Sequence, residues 1–235
     1  MVEPVSIPEA AKALDLSAAR VRAMAAAGQL SAAKLGDRWF VERAALEKRR
    51  RSGSLEGRRF SPRNAWALLR LASGEEVDGI DPSNRSRLKR ALALEGLERL
   101  APRLGHRAEV LQFRSHPGEL SHLQKDPALV LSGVSAEPRR HGLVAGREID
   151  GYLEAGELER FVRRHALVPG GPDPNVRLRL VPVEAWQCLE GLKLAPPAVV
   201  ALDLAEDSDP RSARAGRKAL AGIDRKARRS FARAS

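Results

Sequence analysis

The stretch from Ser6 to Val41 leaves the backbone few options, because its turn-forming residues fall at short intervals between apolar ones. Ser6-Ile7-Pro8-Glu9 reads as a helix entry, with Ser6 as N-cap, Ile7 as a hydrophobic staple and Pro8 in the first turn. The helix from Ile7 to Leu14 cannot run on, since Asp15-Leu16-Ser17 offers a turn and Ser17 a fresh N-cap. A second helix is predicted from Ala18 to Ala27, closed by Gly28. Two helices joined by so short a link make a helix-turn-helix. After Gln29-Leu30, the segments Ala32-Ala33-Lys34-Leu35 and Arg38-Trp39-Phe40-Val41 flank Gly36-Asp37, a two-residue hairpin signal. That hairpin is expected to be a wing. Glu42 to Arg51 then reads as a third helix ending in Lys48-Arg49-Arg50-Arg51, where the helix dipole favours cations.

The second helix divides by face. At 100° per residue, Val21, Met24 and Ala25 share one side, while Ala19, Ala23 and Ala26 lie opposite with Arg20 and Arg22 on the flanks. Small side chains let a helix approach the major groove closely, and an arginine beside them can reach phosphate or the O6/N7 edge of guanine. Ser17 and the free N–H groups at the helix start suit a phosphate. Charge agrees with this. The chain carries a formal +11 at pH 7, and the excess is segregated: residues 1–70 hold about +7, 71–209 about −4 and 210–235 about +8. Basic ends around an acidic middle favour a polyanionic partner, double-stranded DNA first.

Beyond Ser52-Gly53-Ser54 and Gly57, a flexible stretch, the pattern changes. Ser61-Pro62 caps a helix through Trp66, Leu69 and Leu71, and Asp81-Pro82 another through Leu88, Leu92 and Leu97; the two are expected to pair. Strands are predicted at Glu109–Arg114, Leu129–Leu131 and Asn175–Val183, the last alternating Val176, Leu178 and Leu180 against Arg177 and Arg179. Glu148 to His165 reads as one or two helices, with an apolar stripe of Tyr152, Leu153, Leu158, Phe161 and Val162. Ala198–Leu204 is too short to assign by periodicity, Asp209-Pro210-Arg211 opens a basic final helix, and Arg225–Ser235 is expected to stay disordered until it meets a partner. The fold class is therefore α+β. An N-terminal winged helix-turn-helix (1–51) and a linker (52–60) lead to a larger mixed α/β domain (61–235), which begins with a helical connector and ends in a basic tail.

The segment VSIPEAAKALDLSAARVRAMAAAGQLSAAKLGDRWFVERAALEK resembles the DNA-binding modules of MerR-type regulators and phage excisionases. The match lies in Glu9-Ala10-Ala11, Leu14-Asp15-Leu16-Ser17, Gly28-Gln29-Leu30 and Leu35-Gly36-Asp37-Arg38-Trp39. The resemblance implies that Ser17, Ala19, Arg20, Arg22 and Ala23 face DNA, and that Lys34, Arg38 and Trp39 of the wing touch the backbone or minor groove. Trp39 has a second reading, packing on the first helix. The later segments SPRNAWALLRL, LVLSGVSA, GYLEAGELERFVRRHAL, NVRLRLVP and PPAVVALDLAEDSDPRSARAG are similar to AbiEi-type antitoxins of type IV toxin–antitoxin systems. That resemblance implies autorepression of an operon and a nucleotidyltransferase toxin as partner, with a homodimer on DNA. The winged module is excisionase-like, which departs from that family's usual type.

Two alternatives stay open at this point. One is a stand-alone regulator or excisionase-like protein whose larger domain dimerises or senses a ligand. The other is a nucleotidyltransferase-like enzyme, for which Ser132-Gly133 with Glu148 and Asp150 would supply a Mg²⁺ site. These two carboxylates look instead like a helix start, and Asp203, Glu206, Asp207 and Asp209 like a solvated loop. The five histidines lack ligand spacing, and phosphate-loop, dinucleotide and GxSxG signatures are absent. No enzymatic activity, metal or cofactor is expected. Cys188 is the single cysteine, which excludes a disulfide framework and reads as a buried structural thiol. With no signal-peptide pattern and no apolar run near about 18 residues, the expectation is a cytoplasmic protein without a membrane partner.

Overall fold

The computed structural model describes residues 4–14, 16–26, 30–36, 38–43, 45–47, 59–143, 148–170 and 173–232. The chain divides into two compact units, Met1–Arg58 and Arg59–Ser235.

In the first unit, β1 (Pro4–Ser6) leads into α1 (Ile7–Leu14), followed by α2 (Ala18–Ala26), β2 (Ala32–Leu35) and β3 (Arg38–Glu42). Ser6 and Glu9 close a capping box: the Ser6 amide donates to Glu9 Oε2 at 3.0 Å and the Ser6 hydroxyl to the same oxygen at 2.7 Å. β2 and β3 form an antiparallel hairpin in the register Ala32↔Val41 to Leu35↔Arg38, and the chain leaves β2 through Gly36 at φ 60°. β1 was not foreseen. It pairs with β3 antiparallel, Val5 opposite Val41, making β3 the centre of a three-stranded sheet. Val5, Ile7, Ala10, Val21, Met24, Leu30, Val41 and Leu46 build one apolar core under that sheet. The third helix starts later than expected, because Glu42 is the last residue of β3, its N–H bonded to the Ser31 carbonyl. Helical backbone follows at Arg43 and at 45–47. Asp15, Ala27, Gly28, Gln29, Asp37, the Lys48–Arg51 cations and the linker 52–58 lie outside the described residues.

The second unit opens with α3 (Pro62–Ala72) and α4 (Pro82–Glu95). Ser61 Oγ accepts from the Asn64 amide, and the Asp81 carboxylate accepts from Ser83 and Asn84, with proline at N1 in both helices. The two helices pack on each other, and Asn84 Nδ2 donates to Asn64 Oδ1 at 2.7 Å. Leu97 does not extend α4: the chain turns at Gly96 (φ 82°) and starts a separate short helix, α5 (Leu97–Leu100). Next come β4 (Glu109–Arg114), α6 (Leu120–Leu123), β5 (Val130–Leu131), β6 (Ile149–Glu154), α7 (Leu158–Arg164), β7 (Val168–Pro169), β8 (Val176–Val181), α8 (Val183–Trp186), α9 (Pro197–Ala205) and α10 (Pro210–Ala232).

The sheet has the order β5-β6-β8-β4-β7, with β6 and β8 parallel and the other pairs antiparallel. The segment 149–154, expected as helix, is thus a central strand. Its apolar residues suit either period over so short a run, and pairing to β8 on one side and β5 on the other decides for extended backbone. Both faces of the sheet are covered. Ile149, Leu153, Val176, Leu178 and Leu180 pack with Phe113, Leu123 and Phe161 on one side. On the other, Tyr152 and Val181 pack with Trp66, Leu88, Leu202 and Leu220 of the helices. The segment expected to stay disordered from Arg225 is helical through Ala232, as Leu220, Ile223 and Ala227 of α10 pack on this second core. Asp224 fastens it further, since its carboxylate accepts from the Leu97 amide at 2.6 Å at the start of α5.

Candidate nucleic-acid interface

The order of burial along α2 separates its two faces. Val21, Met24 and Ala25 are buried against α1 and the sheet, whereas Ala19, Arg20, Arg22 and Ala23 are exposed. With no large side chain among the exposed residues except the two arginines, the helix can come close to a flat or grooved polyanion. Ser17 starts it: Oγ accepts from the Arg20 amide at 3.2 Å and the Ser17 carbonyl accepts from Val21. The hydroxyl therefore spends a lone pair on the cap and keeps its O–H to donate. At the entry to α1, hydrogen bonds from the Ser6 hydroxyl and amide hold the Glu9 carboxyl below the usual glutamate range, outweighing burial.

The hairpin adds a second group of the expected residues. Lys34 is exposed on β2 and stands opposite Trp39 in the register. Trp39 is half-buried and packs against the core of the first unit, so its indole helps to seat the hairpin. Arg38 opens β3, and its side chain lies outside what the structure describes. Ala33 is exposed beside Lys34. The first unit therefore presents the Ala19–Ala23 surface of α2 and, separately, the Lys34 strand of the hairpin.

The second unit holds a different kind of polar cluster, inside the sheet. The parallel register sets Asp150 beside Arg177 and Tyr152 beside Arg179, all on the helix-covered face. Arg179 grips Asp150 with Nε to Oδ1 at 2.8 Å and a second nitrogen to Oδ2 at 3.0 Å, and reaches Asp203 Oδ1 at 3.1 Å. Arg107 donates to Asp203 at 2.7 Å and to the Tyr152 hydroxyl at 3.2 Å, and pairs with Glu206. Tyr152 donates to Asp203 at 2.9 Å, and the Ser132 hydroxyl donates to the other oxygen of Asp203. Arg177 bridges Asp150 and Asp207 at 3.1 and 2.8 Å. Burial alone would raise the Asp203 carboxyl, but the charges of Arg179 and Arg107 outweigh it and hold the group below the usual aspartate range. Burial and the Asp203 charge push the Tyr152 phenol well up.

These contacts correct two expectations. Asp150 sits on a strand and not at a helix start, and Asp203, 0% exposed within α9, is no part of a solvated loop. Glu148 and Asp150 do line one cleft, of about 520 Å³, but both Asp150 oxygens are already taken by arginines. Among the described residues no group of three or more His, Cys, Asp or Glu side chains is placed to hold a metal ion. Cys188 is half-buried, and burial pushes its thiol up. Among the described residues no helix is long and apolar enough to cross a membrane.

A family model described as a helix-turn-helix domain matches residues 5–54. No curated protein and no solved structure matches the chain. The N-terminal unit is thus similar to helix-turn-helix domains over most of its length, and the likeness does not extend into the second unit.

Proposed function

We propose that this chain is a DNA-binding regulator whose first unit docks as a winged helix-turn-helix. α2 enters the major groove, with Arg20 and Arg22 reaching base edges or phosphates, and the Ser17 hydroxyl donates to a phosphate. The β2–β3 hairpin acts as the wing, carrying Lys34 and Arg38 to the backbone, while Trp39 fixes its angle from the core side. The observation that carries this reading is the exposure of Ala19, Arg20, Arg22 and Ala23 on the face of α2 opposite buried Val21 and Met24. Residues 1–51 are the DNA-binding part and 61–235 the part that meets a partner or an effector. The protein is non-enzymatic on this reading, because Asp150, one of the two carboxylates that a nucleotidyltransferase would turn to a metal, is committed to Arg177 and Arg179.

The test is a gel-shift titration of the full chain on DNA from its own upstream region, with competitor, at two salt concentrations. Specific, salt-sensitive binding supports the proposal, and binding no tighter than to random DNA overturns it. The finer role, an antitoxin that represses its operon as a dimer and counters a nucleotidyltransferase, is supported by the resemblance of the second unit. Its test is rescue of growth when the chain is co-expressed with a nucleotidyltransferase encoded beside it; no rescue leaves a stand-alone regulator.

A further inference from the structure

A groove of about 400 Å³ opens between α10, the start of α9 and the turn of 3-10 helix Pro138–His141. Its floor is apolar: Leu194, Val200, Ala219 and Ile223 line it, and Gly222 contributes bare backbone. Leu194 remains 39% exposed there. The rim carries a net positive charge of one: Arg140 and Lys226 line it together with His141, and Glu137, 2.9 Å from Arg140, offsets one of the two cations.

The rim is also held in a costly conformation. Glu137 has φ 47°, a left-handed backbone that residues with a Cβ adopt at some expense, and it starts the 3-10 turn in which the Arg140 amide bonds to the Glu137 carbonyl. Gly142, at φ 68°, ends that turn, and its carbonyl accepts from Arg211 of α10 at 3.0 Å. The wall bearing Arg140 and His141 is thus tied to the helix across the groove. Burial, then the Arg140 charge, lower the His141 pKa, so at neutral pH the ring is an uncharged hydrogen-bonding group.

We propose that this groove binds a small organic carboxylate with an apolar body, the hydrocarbon or aromatic part on the Val200–Ile223 floor and the carboxylate between Lys226 and Arg140. Concave, mostly apolar sites of a few hundred Å³ with a few convergent polar groups are the usual form of small-ligand pockets. The charge of the rim selects an anion over a neutral or cationic compound of equal size. This inference does not rest on DNA binding; if both hold, the second unit is where an effector would act.

The experiment uses the full chain and the fluorescent probe 8-anilinonaphthalene-1-sulfonate, an anion with an apolar body. One saturable site is expected, from which decanoate displaces the probe at concentrations where decanol does not. Gly222→Leu should abolish the site by filling the floor. A side chain is tolerated there, since a Cβ would meet only an Arg225 nitrogen, at 3.9 Å. Lys226→Ala should weaken the probe about tenfold by removing a charge-assisted contact. Amide chemical shifts of the unmodified chain should move on probe addition at Ala195, Ala219 and Ile223. Absence of a saturable site, equal displacement by the alcohol, or shift changes confined to residues away from the groove overturns the proposal. Unchanged binding by a folded Gly222→Leu chain does so as well.

Discussion

Arg179 of β8 meets Asp150 of β6 side-on, two nitrogens on two oxygens at 2.8 and 3.0 Å, with both side chains buried. The pair is diagonal in a parallel register that puts Asp150 directly beside Arg177, so one carboxylate serves two arginines on the same sheet face. Breaking a buried pair costs about 3–5 kcal/mol when the survivor is left unpartnered, whereas here Asp150 keeps Arg177 and Arg179 keeps Asp203. Asp150→Ala and Arg179→Met should each lose less than that in urea denaturation of the full chain, and the double variant should lose less than the sum. Additive losses would mean that the pair is not coupled.

Gly216 and Gly222 of α10 should behave oppositely. A Cβ on Gly216 would come within 2.2 Å of the Ala205 amide nitrogen and 2.7 Å of the Ala201 carbonyl, backbone that cannot step aside unless α9 moves. Gly216→Ala is expected to destabilise by about 1–3 kcal/mol through overpacking. Gly222→Ala, in open space on the same helix, should stabilise by about 0.5–1 kcal/mol through helix propensity. Thermal melts of the two variants give the signs directly.

Acid should weaken the second unit partly through Asp126. Burial pushes this carboxyl up, but hydrogen bonds from His165 (2.8 Å), the Ala128 amide and Arg164 (2.8 Å) outweigh it and set the group below the usual aspartate range. A carboxyl lowered in the folded state contributes stability that is complete above its unfolded pKa and is lost as pH falls through the folded value. Stability of the full chain should therefore drop from roughly pH 5 downward, and Asp126→Asn should flatten that acid limb. An identical limb in the variant would assign the loss to other carboxylates.

On DNA, Lys34→Ala should weaken every sequence alike and reduce the salt slope by about one, the signature of a lost phosphate contact. Arg20→Ala or Arg22→Ala should change discrimination between sites by about 1–3 kcal/mol for whichever arginine reads a base. Gel shifts with matched and single-substituted sites separate the two behaviours. Retained affinity and selectivity in all three variants would argue against the docking proposed for α2 and the hairpin.

Much of the local structure was legible in the residues, for a physical reason. Ser6, Ser61, Asp81 and Asp209 announce helix starts because a short polar side chain bonds amides two or three residues ahead, and that chemistry is local. The hairpin was legible from Gly36-Asp37 because a two-residue link selects the residue types that accept its backbone, and Gly36 takes φ 60°. β1 was not, since three residues have no period, and what makes them a strand is β3, more than thirty residues later. The alternation Val176, Leu178, Leu180 against Arg177 and Arg179 was visible, but it reads as one buried face and one wet face. Arg179 is in fact buried and Arg177 partly so, and their partners Asp150, Asp203 and Asp207 come from other segments, so pattern along β8 alone holds no sign of them. In α2 the apolar and small faces were both evident from a wheel. No such signal marks the groove beside α10, whose walls meet only through tertiary packing.

The bond from Arg107 to Asp203 spans 96 residues, and Arg179 waits on the same carboxylate. During vectorial synthesis the first unit has its strand partners by Glu42, whereas Arg107, ahead of the first strand of the second sheet, waits for Asp203 and Glu206, which are made after the last one. Closing so long a loop is slow and its reward comes late. Any fragment that stops short of residue 203 would have to bury Arg107 without either of its carboxylates, Asp203 and Glu206, so the second unit should be indivisible: expressed whole, or recovered as aggregate.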